Sequence, residues 1–194
     1  MKSSLVAFVG ILGMCGASAA QLETFTGSGG PINDLSDNRF VIFIAHHGPH
    51  MLWGYELDIT HTWVGDLYVE VRHKTPNDYA CVLIDRPGVP QSTFGNSDDL
   101  DGVYAFSDGF TPIPETVGGS GVISAGAFGP AAGQTIRRMV ADSFGEWSLL
   151  ISDEVGGDEG MLRSWSMSML YIPTPGSAGL ALAACPLATK RRRP

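Results

Sequence analysis

Basic residues are scarce in this chain, and scarcer still where it would fold. Of its 12 lysines and arginines, five sit at the two ends, as Lys2 and as Lys190, Arg191, Arg192 and Arg193. Between residues 21 and 175, seven basic residues face all 20 acidic ones, a net charge of −13. That balance argues against nucleic acid or an anionic membrane as a partner and leaves room for cations. Cysteine is scarce too. Cys15 and Cys185 lie in the end segments, so Cys81 is alone in the interior and no intradomain disulfide can form. Cys81 sits in an apolar run and is expected to be a small core residue. No long segment carries a 3.6-residue apolar period, which sets aside helical folds. No segment repeats. A Gly-Thr-Ser nucleophile motif and a Gly-x-Ser-x-Gly elbow are also missing, so nothing marks a serine-hydrolase centre.

What the chain does have is glycine and proline, 25 and 12 of them, set between short alternating runs. The ends read as processing segments. Residues 1–20 open with Lys2, continue through an apolar run and close on Ala17-Ser18-Ala19-Ala20, the pattern of a secretory signal. Residues 173–194 combine a Pro-Thr-Pro-Gly break, a short apolar stretch interrupted by Pro186 and a basic cluster. The stretch is shorter than the ~20 residues of an ordinary membrane span.

The interior reads as strands. In and just before Asp58 to Arg72, DITHTWVGDLYVEVR, residues Tyr55, Leu57, Ile59, His61 and Trp63 share one face ahead of a Val64-Gly65-Asp66 corner. Leu67, Val69 and Val71 share one face after it. Residues 21–30 read as a Gly/Ser/Thr-rich lead-in and 31–38 as a polar loop, so the domain is expected over 31–172. Further strands are expected at 39–45, 79–85, 103–106 and 146–152, and a last one is expected through Trp165, Met167, Met169 and Tyr171. The run 79–85, YACVLID, is continuously apolar and is expected to be central. Residues 107–130 read as a long loop, and 134–141 is ambiguous between strand and short helix. Trp147, Leu149 and Ile151 form one face of their strand, and Trp165, Met167, Met169 and Tyr171 one face of the last. The expectation is an all-β fold: a jelly-roll-like, galactose-binding-like β-sandwich of about eight short antiparallel strands.

Four phrases together resemble a known family. They are Ile59-Thr60-His61-Thr62-Trp63-Val64-Gly65-Asp66-Leu67, Leu83 to Gly88 (LIDRPG), Gly145-Glu146-Trp147-Ser148-Leu149, and the closing SDE, GGD, GML and SWS between Ser152 and Ser166. Their order resembles the P domain, or P/Homo B domain, of proprotein convertases and bacterial secreted proteases. Residues 134–142 depart from the pattern. The resemblance implies a jelly-roll sandwich that accompanies a subtilisin-like domain, with calcium frequent among bacterial members. It makes His61, Thr62, Trp63, Gly65, Asp66, Trp147 and Trp165 signature positions. The tail is similar to the PEP-CTERM sorting signals of Gram-negative bacteria, with Thr174 in place of the usual glutamate. That similarity implies export to the cell surface or matrix, with transient membrane contact through the tail.

Candidate chemistry is thin. His47-Gly48-Pro49-His50 superficially resembles the surroundings of a subtilisin histidine, yet lacks the other members of a triad. Three histidines in one turn could ligate zinc, but no further Cys or His stands at ligand spacing, so a solvated loop is expected. His61 is expected to be a hydrogen-bonded core residue, and Asp66 to accept backbone N–H groups at its corner. Oxygen ligands on Gly-containing loops suit calcium. Asp98, Asp99, Asp101 and Asp108 form one candidate set, with Asn96 nearby; Asp153 and Asp158 form another, with Glu154 and Glu159. No catalytic or organic-cofactor residue is expected. The functional expectation is a non-catalytic, secreted or cell-surface binding or structural module. Its partner would be a surface polymer or a secreted subtilisin-like protease that it assists. A carbohydrate-binding jelly roll is the third reading, with Trp53, Tyr68 and Tyr104 as its aromatic candidates.

Overall fold

The structure, a computed structural model, describes residues 20–74, 79–89, 91–116 and 119–172. The expected signal and sorting segments lie outside the described residues, Ala20 of the signal excepted. Among the described residues, eleven strands run in chain order: β1 (Gln21–Ile32), β2 (Asp37–Ile44), β3 (His50–His61), β4 (Leu67–His73), β5 (Tyr79–Asp85), β6 (Asp99–Phe106), β7 (Val122–Ile123), β8 (Gly126–Phe128), β9 (Met139–Val140), β10 (Gly145–Asp153) and β11 (Gly160–Tyr171). Two sheets result. One has the order β1-β11-β3-β6-β7, with β8 also on β6 and β9 on β3; the other has the order β2-β10-β4-β5. Pairing is antiparallel except where β7 and β8 join β6. The fold is a β-sandwich.

Its core follows the alternation in sequence. Trp147, Leu149 and Ile151 from β10 meet Trp165, Met167 and Met169 from β11, and Leu57, Ile59, Val69 and Val71 fill the space beside them. Cys81 is buried in this core, and burial pushes its thiol up to about 11. It is a packing residue there, not a reactive one.

Four expectations need correction. Residues 21–30 are not a lead-in: β1 pairs with β11 from Gln21↔Tyr171 to Ile32↔Gly160. The glycines that disguise this strand are required by it. A Cβ on Gly27 would lie 2.4 Å from the Trp165 indole nitrogen, and one on Gly29 1.8 Å from the Leu162 carbonyl oxygen. The run 79–85 is an edge strand, not a central one. Its edge is partly covered, since Ala131 N–H donates to the Val82 carbonyl at 3.1 Å, which is why an apolar strand is tolerated there. The 103–106 strand starts earlier, at Asp99. The stretch 107–130 holds β7 and β8, and 134–141 contributes only the two-residue β9.

The corner in DITHTWVGDLYVEVR also has a different role. β3 and β4 belong to different sheets. The 3₁₀ turn Val64–Asp66 therefore carries the chain from one layer of the sandwich to the other. Trp63 leaves the inner face at this point. Its φ of 64° is left-handed, its ring is half-buried, and Val64 takes the buried position instead.

Candidate metal centre

The corner is strapped down by a neighbouring loop. Val64 N–H donates to the Asp98 carbonyl and Gly65 N–H to the Asn96 carbonyl, both at 2.8 Å, and Asp66 N–H donates to the Trp63 carbonyl at 3.1 Å. These bonds take all three amides of the turn. The Asp66 carboxylate is consequently not the turn-holding acceptor expected from sequence. Asp66 is 1% exposed, and its Oδ1 is buried without a hydrogen-bond partner. A buried carboxylate oxygen in that state is costly, by about 1–3 kcal/mol for an ordinary polar group and more for a charged one.

Two other turns come to the same end of the sandwich. At the end of β10, where the β10–β11 turn begins, Asp153 Oδ2 lies 3.2 Å from His61 Nε2, with both side chains fully buried. Asp158 Oδ1 accepts the Thr62 hydroxyl at 2.7 Å, and Glu154 N–H donates to the Asp66 carbonyl at 3.0 Å. From the β1–β2 turn, Asp34 accepts Gly157 N–H with both oxygens at 3.1 Å, and the Ser36 carbonyl accepts Asp153 N–H. Gly160 is needed here, because a Cβ would lie 2.5 Å from the His61 ring. A cleft of about 250 Å³ lined by Leu35, Ser36, Asp37, Asp153 and Glu154 opens beside the cluster.

The electrostatics of this end are lopsided. Burial first, then the charges of Asp153, Asp158 and Asp34, push the Asp66 carboxyl up to about 7, against the opposing pull of Arg86. Arg86 Nε itself donates to the Gly65 carbonyl at 3.3 Å. Oxygen donors from three segments, one of them unpartnered, and a net negative field form an environment that a hard cation relieves. Asp66, Asp153, Asp158 and Asp34 supply the oxygens at this end, but among the described residues no three of them lie within 4.8 Å of one another, so a calcium ion would have to draw them together.

The first candidate set has another fate. Asp98 Oδ1 accepts Gly121 N–H at 3.0 Å and Asp99 Oδ1 accepts Trp63 N–H at 3.2 Å. Asp101 Oδ1 pairs with Arg163 at 2.6 Å, and Arg163 also holds Asp58. Asp108 accepts the N–H groups of Ile136 and Arg137 and the hydroxyl of Thr135. Burial pulls the Asp108 carboxyl up, but these hydrogen bonds outweigh it and hold it below its ordinary value. The four carboxylates are thus engaged one by one by protein donors, as Asp34, Asp153 and Asp158 are, and none of them has a buried oxygen without a partner as Asp66 does. Asn96 is likewise a loop brace, donating to the Pro114 carbonyl and Thr116.

The remaining signature residues are structural. Trp147 Nε1 donates to the Ser143 carbonyl at 3.0 Å, and Trp165 is buried against Gly27. Of the aromatic candidates for a sugar platform, Tyr104 is fully buried, its hydroxyl donating to the Ile123 carbonyl at 2.6 Å. Trp53 is exposed and carries the Arg137 guanidinium 4.3 Å from its ring centre, and Tyr68 is half-buried. The histidine turn is not uniformly solvated. His46 and His47 are exposed, but His50 is fully buried.

No family model and no curated protein matches this chain. Among solved structures it is similar to a chain of the Aeromonas sobria serine protease–chaperone complex, at 14% identity and a TM-score of 0.40, over 79% of this chain and 28% of that one. It is likewise similar to the Aeromonas sobria serine protease, at 14% identity and a TM-score of 0.35, over 78% of this chain and 27% of that one. The chain therefore spans little more than a quarter of the length of these neighbours.

Proposed function

We propose that this chain is an exported, non-catalytic β-sandwich module of the P/Homo B type, acting in binding or structural stabilisation, and that calcium at its acidic end holds it rigid. The observation that carries the calcium part is Asp66, buried with an unpartnered oxygen beside Asp153, Asp158 and Asp34. The module assignment rests on the order of the sequence phrases, each of which has a structural task. The corner crosses between sheets, LIDRPG ends β5 and sends Arg86 to the Gly65 carbonyl, GEWSL forms the start of β10, and the closing phrase forms the acidic turn and β11.

The non-catalytic part is tested by incubating the purified chain with casein and with peptide libraries. No turnover is expected. Hydrolysis that disappears in His47→Ala or His50→Ala would overturn it.

A second reading, accessory to a separately encoded subtilisin-like protease, is favoured by one feature of the four-stranded sheet. Its outer face at edge strand β2 exposes Val41 and Phe43, and Phe43 meets Phe144 edge-to-face with ring centres 5.6 Å apart. Apolar side chains grouped on an edge strand suit a packed interface. Val41→Lys combined with Phe43→Lys is expected to abolish capture of such a protease while leaving the melting temperature within about 1–2 °C, as for surface changes of ±0.5 kcal/mol. Capture unaffected by the double change would remove this reading.

A further inference from the structure

The geometry points to a second metal site, for a divalent first-row transition ion of the zinc class, built by Glu23, His46 and His50. The site lies at the start of β3, whereas His61 and the acidic end lie at its finish, so it stands independently of the calcium reading.

The three residues come from separate places. Glu23 is on the inward-leaning face of β1, in line with Phe25 and Gly27. His46 follows the end of β2, and His50 opens β3 opposite Tyr171. Glu23 Oε2 lies 3.2 Å from His46 Nε2 and 3.7 Å from His50 Nε2, and the three ligand atoms are all within 4.8 Å of one another. Donors bound at ~2.0–2.1 Å to a tetrahedral ion stand about 3.3–3.4 Å apart. The two contacts to Glu23 bracket that spacing.

His50 supplies the observation that points to a ligand. Its side chain is fully buried, and its Nε2 has no hydrogen-bond partner. Its Nδ1–H donates to the Gly48 carbonyl at 3.1 Å. That bond engages Nδ1 and leaves the other ring nitrogen, Nε2, facing the Glu23 carboxylate. Nε2 and the Glu23 carboxylate oxygen stand 3.7 Å apart, too far for a direct hydrogen bond, and an ion between them would satisfy both. A backbone carbonyl on the far ring nitrogen is also the usual way a metal-bound imidazole is held.

The surroundings lower the local dielectric. The Phe25 ring centre is 5.6 Å from that of His46, and the Tyr171 ring centre is 5.2 Å from that of His50. Two imidazoles and one carboxylate favour zinc-class ions over calcium, which prefers an all-oxygen shell. The ion would tie edge strand β1 to the turn between β2 and β3, with one coordination position left for water.

The test titrates zinc, and cobalt as a spectroscopic substitute, into the untagged purified chain in the presence of excess calcium. One zinc per chain is expected. Cobalt is expected to give the intense visible absorption of a four- or five-coordinate ion. Glu23→Gln and His46→Ala, both partly exposed positions, should each weaken zinc at least tenfold and bleach that absorption. His47→Ala should change neither, because His47 Nδ1 is already 2.7 Å from Asp142 and its ring stacks on Phe144. Failure to bind zinc would overturn the proposal. So would equal affinity in wild type, Glu23→Gln and His46→Ala, the outcome expected if Glu23 and His50 form only a buried ion pair. Loss of binding in His47→Ala would also overturn it, by placing the ion on the exposed turn.

Discussion

Calcium-free protein is expected to melt lower at pH 8 than near pH 5, and calcium is expected to restore the loss at pH 8. The cause is Asp66. Its carboxyl titrates near 3.8 when solvated and is pushed up to about 7 in the fold. A group raised in this way stabilises the fold fully below its unfolded pKa, and that contribution is lost as pH rises through the folded value. The window for Asp66 therefore runs from about pH 4 to about pH 7. Each unit of difference corresponds to about 1.4 kcal/mol, so the effect reaches a few kcal/mol at full ionisation. Asp108, held low, acts in the opposite sense, but its contribution is lost only as pH falls below the ordinary carboxylate range. The two windows are separable.

Calcium replaces the proton. At a dissociation constant of ~10⁻⁴ M, within the range of extracellular calcium modules, ~10 mM calcium adds about 2.7 kcal/mol, or roughly 5–10 °C in melting temperature. Asp66→Asn separates the contributions, because an amide keeps the shape and removes the charge. Without calcium at pH 8 the Asp66→Asn variant is expected to melt above wild type, with the gap narrowing as pH falls, and its response to calcium is expected to disappear. Differential scanning calorimetry across pH, with and without calcium, measures both. Identical pH profiles for the two proteins, or a wild-type melting temperature indifferent to calcium, would remove Asp66 from the argument.

The sandwich was legible where side chains alternate in size and polarity. β10 and β11 are written as Trp-x-Leu-x-Ile and Trp-x-Met-x-Met, and a period of two on a half-buried strand leaves little choice. β1 escaped because Gly27, Gly29 and Gly30 interrupt its apolar pattern. They are small so that Trp165 and the β11 backbone can approach, and that requirement lies about 135 residues away in sequence. β5 was misplaced for a related reason. An unbroken apolar run says that both faces are covered, but not that another strand does the covering. The acidic end was half legible. Asp153 and Asp158 lie in one Gly-rich turn, where crowding is visible. Asp34 and Asp66 join them only through the topology, from a β1–β2 turn that reads as plain polar loop and from a corner whose amides are all taken by backbone carbonyls. The Asp98–Asp101 set shows the reverse. Its spacing resembles a ligand loop, but β6 begins at Asp99, so its carboxylates go to Gly121, Trp63 and Arg163. Glu23 gave no signal at all, because its histidine partners are 23 and 27 positions away across a sheet edge.

Gly65→Ala is expected to be the most disruptive single-methyl change in the corner. Gly65 does not need an unusual φ; it needs room. A Cβ there would lie 2.5 Å from the Asn96 nitrogen, 2.6 Å from the Phe94 carbonyl oxygen and 2.9 Å from the Gly95 carbonyl carbon. All three are backbone atoms, and the loop that carries them is clamped by the Asn96 and Asp98 carbonyls accepting from Gly65 and Val64. Neither side can yield without breaking those bonds. Overpacking alone costs about 1–3 kcal/mol, and each backbone bond lost in a buried setting adds about 1 kcal/mol. A total of about 3–5 kcal/mol is expected, which at about 2–4 °C per kcal/mol lowers the melting temperature by roughly 6–20 °C. The same change tests the link between corner and metal. Asp66 follows Gly65 directly, so displacing the turn moves the Asp66 carboxylate away from Asp153 and Asp158. Calcium affinity should fall along with stability. A control at Gly109, where a Cβ meets nothing within 4 Å but φ is +96°, should lose some stability from backbone strain while keeping its calcium response. If Gly65→Ala melts as wild type does, the corner is more pliable than its contacts imply. If it loses stability but keeps full calcium affinity, the corner does not position the ion, and Asp66 must be reassigned to packing.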